Sequence, residues 1–341
     1  MMRWPLPITS IVLALLLLVA GLLSLTQGAM KLPAIDSLLI VIDNYLGASF
    51  SSLERYQQVV VLELRLPRLL MAIFVGAILA QCGAVMQGLF RNPLADPGII
   101  GVSSGAAVGA ILAIVVFPST WGVWTVPISA FIGGLATTLL VYGLAQSKNG
   151  TSVLVLLLAG VAISAFAGAA IGFLSYFADD QSLRELNVWQ MGSLVGANSA
   201  NLWLAFATMV ALSIAFYRRA AALNALLLGE PEARHLGIAV EKMKRQLIIL
   251  TAIGAGIAVS SAGIIGFVGL VVPHLVRLTT GPCHKSLLPL SALLGAVLLV
   301  VADLVARLVV QPAELPVGLV TALLGAPFFL ALLIQQRKLW S

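Results

Sequence analysis

Charge is what this sequence has least of. Asp, Glu, Lys and Arg make up 9% of its 341 residues, against 60% hydrophobic, where a soluble domain carries roughly a quarter charged residues. A chain this poor in charge cannot cover a water-facing surface, and its mean hydropathy of +1.07 points to lipid as its solvent. The two cysteines, Cys82 and Cys283, have neither metal nor redox spacing. The three histidines, His235, His274 and His284, are too few for a clustered metal centre. No metal and no cofactor is therefore expected. There is no G-x-x-x-x-G-K-[ST] phosphate loop, so the chain does not bind ATP in that way. No carboxylate is expected in the middle of an apolar run: Glu63, Asp96, Asp303 and Glu314 all fall near predicted helix ends. An ion- or proton-coupled carrier usually needs an ionisable group inside the membrane, which argues against that class.

What the chain has is long, unbroken apolar runs. In hydrocarbon every backbone amide must pair within its own segment or within a closed barrel. The runs show no alternation at period two, so they read as helices. A span takes about 20 residues, and ten fit, at 8–27, 62–84, 94–117, 122–145, 151–176, 200–217, 246–263, 268–280, 286–307 and 314–335. The eighth is short and bracketed by Pro273 and Pro282. The first follows Arg3 and reads as a retained helix, since no small-residue cleavage site clearly follows it. A polar stretch ending in Trp189-Gln190-Met191-Gly192 reads as a short interfacial helix. Fold class is thus all-α and polytopic, one transmembrane domain over 1–341 with a polar insert at 217–246.

Ten spans put both termini on one side. With that side cytoplasmic, the inside carries Arg3, Arg91, Lys148, Arg218, Arg219, Arg234, Lys242, Lys244, Arg245, Arg277, Lys285, Arg337 and Lys338. The outside carries Lys31, Arg55, Arg65, Arg68, Arg184 and Arg307. Basic residues mark the cytoplasmic side, so the topology is N-in, C-in. The net charge of +6 reflects this orientation and no nucleic-acid partner is expected.

Several motifs carry a specific expectation. Arg65-Leu66-Pro67-Arg68 opens the second span and Arg307 closes the ninth. Three guanidiniums at one membrane face would suit partner carboxylates, which they grip bidentately; the alternative is ordinary interfacial snorkelling or a local pairing, such as Arg307 with Asp303 at i, i+4. In the cytoplasmic insert, 226–237 reads as two short helices about a glycine hinge, with Pro231 in a first turn and Glu230 and Glu232 at a helix N-terminus. Short amphipathic helices of this kind commonly dock into a partner. Gly101, Gly105 and Gly109, and Gly168 and Gly172, are spaced for close helix packing. Gly101-Val102-Ser103-Ser104-Gly105 matches the G-x-S-x-G pattern, but it opens a membrane helix and lacks the preceding strand a nucleophile elbow needs. Gly76, Gly83 and Pro93 recur as Gly256, Gly263 and Pro273, a faint echo of an inverted repeat.

The ordered runs Arg65-Leu66-Pro67-Arg68, Gly83-Ala84-Val85-Met86-Gln87, Asn92-Pro93-Leu94-Ala95-Asp96-Pro97, Leu228-Gly229-Glu230, Gly266-Phe267-Val268-Gly269-Leu270, Pro273-His274, Ala302-Asp303 and Glu314-Leu315-Pro316-Val317-Gly318 resemble the FecCD-type permeases. These are membrane subunits of ABC importers for ferric siderophores, haem and cobalamin. The resemblance covers the chain from about residue 60 to its end. It implies the type II ABC importer permease fold, a homodimer in a bacterial inner membrane, two cytoplasmic ATPase subunits and a periplasmic substrate-binding protein. ATP hydrolysis would belong to the ATPases, so this chain is not expected to be an enzyme. By the same resemblance, Arg65, Arg68 and Arg307 would dock the binding protein. Leu228, Gly229, Glu230, Pro231, Glu232, Ala233, Arg234, His235 and Leu236 would form the coupling segment, and Leu94, Thr151 and Ser152 the cytoplasmic gate. The runs 90–97 and 229–235 look most like haem permeases of Gram-negative bacteria, although no His or Tyr sits mid-span to ligate haem iron. Haem is the expected cargo, a ferric siderophore or cobalamin the alternative, and a secondary carrier the rival of a different class.

Overall fold

A computed structural model describes residues 5–47, 49–116, 122–147 and 150–337; Arg3, Lys148 and Lys338 of the inside set lie outside them. The chain forms α1 (Leu6–Thr26), α2 (Ala34–Leu46), α3 (Arg55–Val59), α4 (Leu66–Leu89), α5 (Val102–Ile111), α6 (Thr125–Ala145), α7 (Val153–Tyr176) and α8 (Asp180–Gln190). There follow α9 (Ser199–Arg218), α10 (Ala220–Leu226), α11 (Glu230–His235), α12 (Val240–Ala262), α13 (Val268–Thr280), α14 (His284–Leu308) and α15 (Val317–Arg337). A π-helical stretch, Val60–Arg65, fuses α3 to α4, giving one apolar helix over Arg55–Leu89.

Among the described residues, seven helices are long and apolar enough to cross a bilayer, and three shorter apolar ones, Val102–Val116, Val268–Thr280 and Val317–Ala331, occupy the third, eighth and tenth expected places. The ten-span reading therefore holds, with shifted boundaries. The third span begins at Val102 because Pro97–Ile100 forms a 3₁₀ turn that Gly101, at φ +87°, closes before α5 can start. The seventh begins at Val240, before the apolar run, so its first turns carry charge.

The core sits on α4. Of its most apolar window 83% is buried, because α14, α13, α12 and α9 all pack around it. Two glycines permit that. A Cβ at Gly76 would fall 2.3 Å from the carbonyl oxygen of Gly295 on α14, and one at Gly83 would fall 1.9 Å from that of Gly269 on α13. The backbones thus meet with no side chain between them, the small-residue packing that lipid-embedded helices favour. The echoes do not share these roles: Gly263 ends α12 at φ +69°, and Pro273 lies inside α13. The spaced glycines of α5 do as expected, Gly105 and Gly109 lying against Gly133 and Ser129 of α6. Gly168 and Gly172 do not, since nothing lies within 4 Å of the Cβ either would carry.

The polar stretch before α9 is the amphipathic helix α8. Asp179 caps it by accepting the Ser182 amide at 2.7 Å, and this bond holds its carboxyl below the usual range. Sequence patterning missed α2 and α3 altogether.

Candidate functional site: the two polar ends of the bundle

At the outer end the three arginines do come together, but turned inward. Arg65, Arg68 and Arg307 are 6%, 9% and 5% exposed. Arg68 donates through Nε to Asp303 Oδ1 at 2.7 Å and through Nη1 to Glu314 Oε2 at 2.6 Å. Arg307 pairs with Asp303 Oδ2 at 3.1 Å and donates from Nη2 to Ser24 Oγ at 2.6 Å and from Nη1 to the Ser24 carbonyl at 3.1 Å. Arg65 donates to the carbonyl of Leu25 at 2.6 Å and to that of Met30. Charge taken out of water must be paired and hydrogen-bonded, and here the pairing staples α1, α4 and α14 to the segment before α15. The local pair of Arg307 with Asp303, named above, is present. The carboxylate of Glu314, with 42% of its side chain exposed, is the accessible member of the cluster.

At the inner end, α10 and α11 are the two short helices expected about a hinge. Gly229 sits between them at φ +136° and ψ 158°, a conformation that favours glycine, and Pro231 lies in the first turn of α11. Leu223, Leu226 and Ala233 are buried beneath the pair. Leu228 and Leu236 point outward at 68% and 64% exposure, flanking exposed Glu232, Arg234 and His235. The unit is tied down by Asn224, whose Oδ1 accepts the backbone amide of His284 at 2.8 Å and stands 2.9 Å from its Nδ1, at the first residue of α14. The shared acceptor places the ring proton on Nδ1.

The expected gate residues fall on two separate segments. Leu94 is in the turn after α4, its amide bonded to Asn92 Oδ1 at 2.9 Å. Thr151 lies in a two-stranded hairpin, Gln146–Ser147 against Gly150–Thr151, that links α6 to α7. Ser152 follows and caps α7 by accepting the Val155 amide. Both the amide and the hydroxyl of Thr151 donate to Glu241 Oε2, at 2.9 and 2.8 Å. Lys244, 3% exposed, bridges Glu241 Oε1 at 3.1 Å and Glu230 Oε1 at 2.7 Å. Sequence reasoning missed Glu241, Lys244 and Asn224. The available signal was a charged pair at i, i+3 on the entry of an apolar helix, which reads equally well as solvated.

A bundle of ten apolar helices whose charged clusters lie toward its two ends, with a paired helical knob at one of them, is the architecture of a transporter's membrane-spanning subunit. The chain belongs to the FecCD transport family, whose sequence profile matches residues 16–335. It is 48% identical over 280 residues to the hemin transport system permease protein HmuU of Yersinia pestis, covering 81% of this chain and 84% of that one. It is 43% identical over 290 residues to the vitamin B12 import system permease protein BtuC of Vibrio cholerae, covering 84% and 86%. Its fold superposes on a metal-chelate-type ABC transporter solved in an inward-facing conformation with a TM-score of 0.84 and 34% identity, over 96% and 99% of the two chains. The protein is thus a multi-pass ABC importer permease of the type II fold. It is not itself an enzyme, and it works with a separate ATPase and a substrate-binding partner.

Proposed function

We propose that this permease carries haem from periplasm to cytoplasm across a bacterial inner membrane, as a homodimer with two ATPase subunits and a periplasmic binding protein. The exposed knob of α10 and α11 carries the mechanism. Two leucines held out in water by a buried anchor, around a charged tip, fit a groove on a partner. ATP binding would close the ATPases, displace the knobs and tilt the spans about the dimer axis, and ATP's preference for one conformation would drive the switch. Leu94, Thr151 and Ser152 would close the cytoplasmic side of the path. In this reading the binding protein docks at the end that holds Arg65, Arg68 and Arg307. Its carboxylates would exchange with Glu314 for Arg68, and no free guanidinium is needed. The largely exposed face of α7, of whose most apolar window 17% is buried, leaves room for a second copy beside it in the membrane plane.

Haem as cargo rests on the likeness to the Yersinia hemin permease. A second reading, cobalamin, is favoured by 47% identity over 280 residues to a cobalamin import permease of Halobacterium salinarum. ATP-dependent uptake in proteoliposomes with the cognate ATPase and binding protein separates them. Haemin accumulation without cobalamin or ferric siderophore accumulation is expected; the reverse preference would reassign the cargo. Accumulation without any ATPase would overturn the importer mechanism.

A further inference from the structure

The polar groups joining the knob to the gate hairpin form one continuous chain of contacts. Glu230 is the first residue of α11, and its carboxylate meets the ammonium of Lys244 at 2.7 Å. The same ammonium meets Glu241 at 3.1 Å, and Glu241 receives both donors of Thr151. The adjoining Gly150, at φ +110°, leaves room for this: a Cβ there would stand 2.8 Å from Glu241 Oε1. Thr151 is paired across the hairpin with Gln146, and Ser152 caps α7. The chain of contacts therefore begins on the knob, crosses the first turn of α12, and ends where α6 finishes and α7 starts.

A buried ammonium between two carboxylates adds little net stability but fixes geometry, because losing either partner strands a charge. Such an element has few intermediate states, which is what transmitting a displacement requires. By contrast, Arg234, 3.7 Å from Glu230 and largely exposed, hangs outside the chain of contacts.

We propose that Lys244 and Glu241 are positioning residues that convert movement of the knob into movement of the Thr151 hairpin, so that ATP hydrolysis and gate opening occur together. The proposal rests on the reading of α10 and α11 as the ATPase-docking unit. The test is the ratio of haemin taken up to ATP hydrolysed, measured in proteoliposomes for wild type, Lys244→Met, Glu241→Gln, Lys244→Arg and Thr151→Val. A merely structural role would lower uptake and hydrolysis together. The proposal expects hydrolysis to persist in Lys244→Met and Glu241→Gln while the ratio falls about tenfold, the span of an ordinary coupling energy. Lys244→Arg keeps the charge and is expected to retain most of the ratio. Thr151→Val, which removes one hydroxyl bond and leaves the amide bond and the charges intact, is expected to lower the ratio less, and it keeps the test open if a charge variant fails to accumulate. A wild-type ratio in the variants, or a proportionate loss of both activities, overturns the relay. If wild type shows no ATP hydrolysis stimulated by assembly with the permease, the docking reading falls and the relay with it.

Discussion

Asp303 holds two arginines at once, and its removal leaves both without their buried counter-charge. With 1% of its side chain exposed, it faces Arg68 at 2.7 Å and Arg307 at 3.1 Å. Asp303→Asn is expected to cost about 3 kcal/mol, the usual result of breaking a buried pair. Its signature is a lower midpoint of thermal inactivation in detergent, and an unchanged midpoint would contradict the cluster's structural role. Glu314→Gln removes only a half-exposed partner, and its cost is expected to stay under about 1 kcal/mol. Only one pair of this cluster was legible in the sequence. The arginines were visible as a group at one face, but Arg68 and Arg307 find partners 235 to 283 residues away in the chain, at Asp303, Glu314 and Ser24. Periodicity and spacing carry no information about such distant contacts. The one partner that spacing did offer, Asp303 at i, i+4 from Arg307, is real.

Among the helices, legibility followed apolar length. All ten spans were visible because hydrocarbon demands long apolar helices, whatever their neighbours. Starts and ends were less visible. Val240–Leu247 is helical, but Glu241 and Lys244 make its composition look like loop; only the fold shows that the charges neutralise each other. α2 went unseen because thirteen residues with Asp36 and Asp43 are too short and too polar for a span, while these carboxylates are accepting the amides of Ser52, Phe50 and Ser51. Glycine roles also needed the packing. Gly83→Val would drive a side chain into the Gly269 backbone and separate α4 from α13. Such a variant is expected to fail to accumulate in membranes or to melt well below wild type, since overpacking a tight contact costs about 1–3 kcal/mol or more. Gly143→Ala, with nothing within 4 Å of the new Cβ, is expected to melt at or slightly above wild type. Equal stability of the two variants would refute the account of α4 as the closely packed centre.

For the whole molecule, the proposed function depends on two surfaces at opposite ends, and each has its own prediction. Leu228→Asp together with Leu236→Asp leaves Leu223, Leu226 and Ala233 buried as before. The variant is expected to insert and purify normally yet to lose co-purification with the ATPase, since exposed apolar anchors supply much of a docking energy. Retained co-purification would send the docking site elsewhere. At the other end, Glu314→Gln is expected to tighten the binding protein's hold, because it removes the carboxylate competing for Arg68. Affinity should fall as salt rises, since interactions between accessible charges are screened; an affinity unmoved by the substitution would exclude the exchange at Arg68. The central placing of α4 also governs how the protein is made. It leaves the ribosome second among the spans, carrying Gln81 and Gln87, yet the groups those amides bond, Ser213 and the Gly269 and Leu270 carbonyls, are translated far later. Until then its polar side chains face lipid or translocon. Final assembly must therefore await the C-terminal half, and a ribosome halted before α13 leaves the Gln87 amide without the carbonyls it bonds in the finished fold.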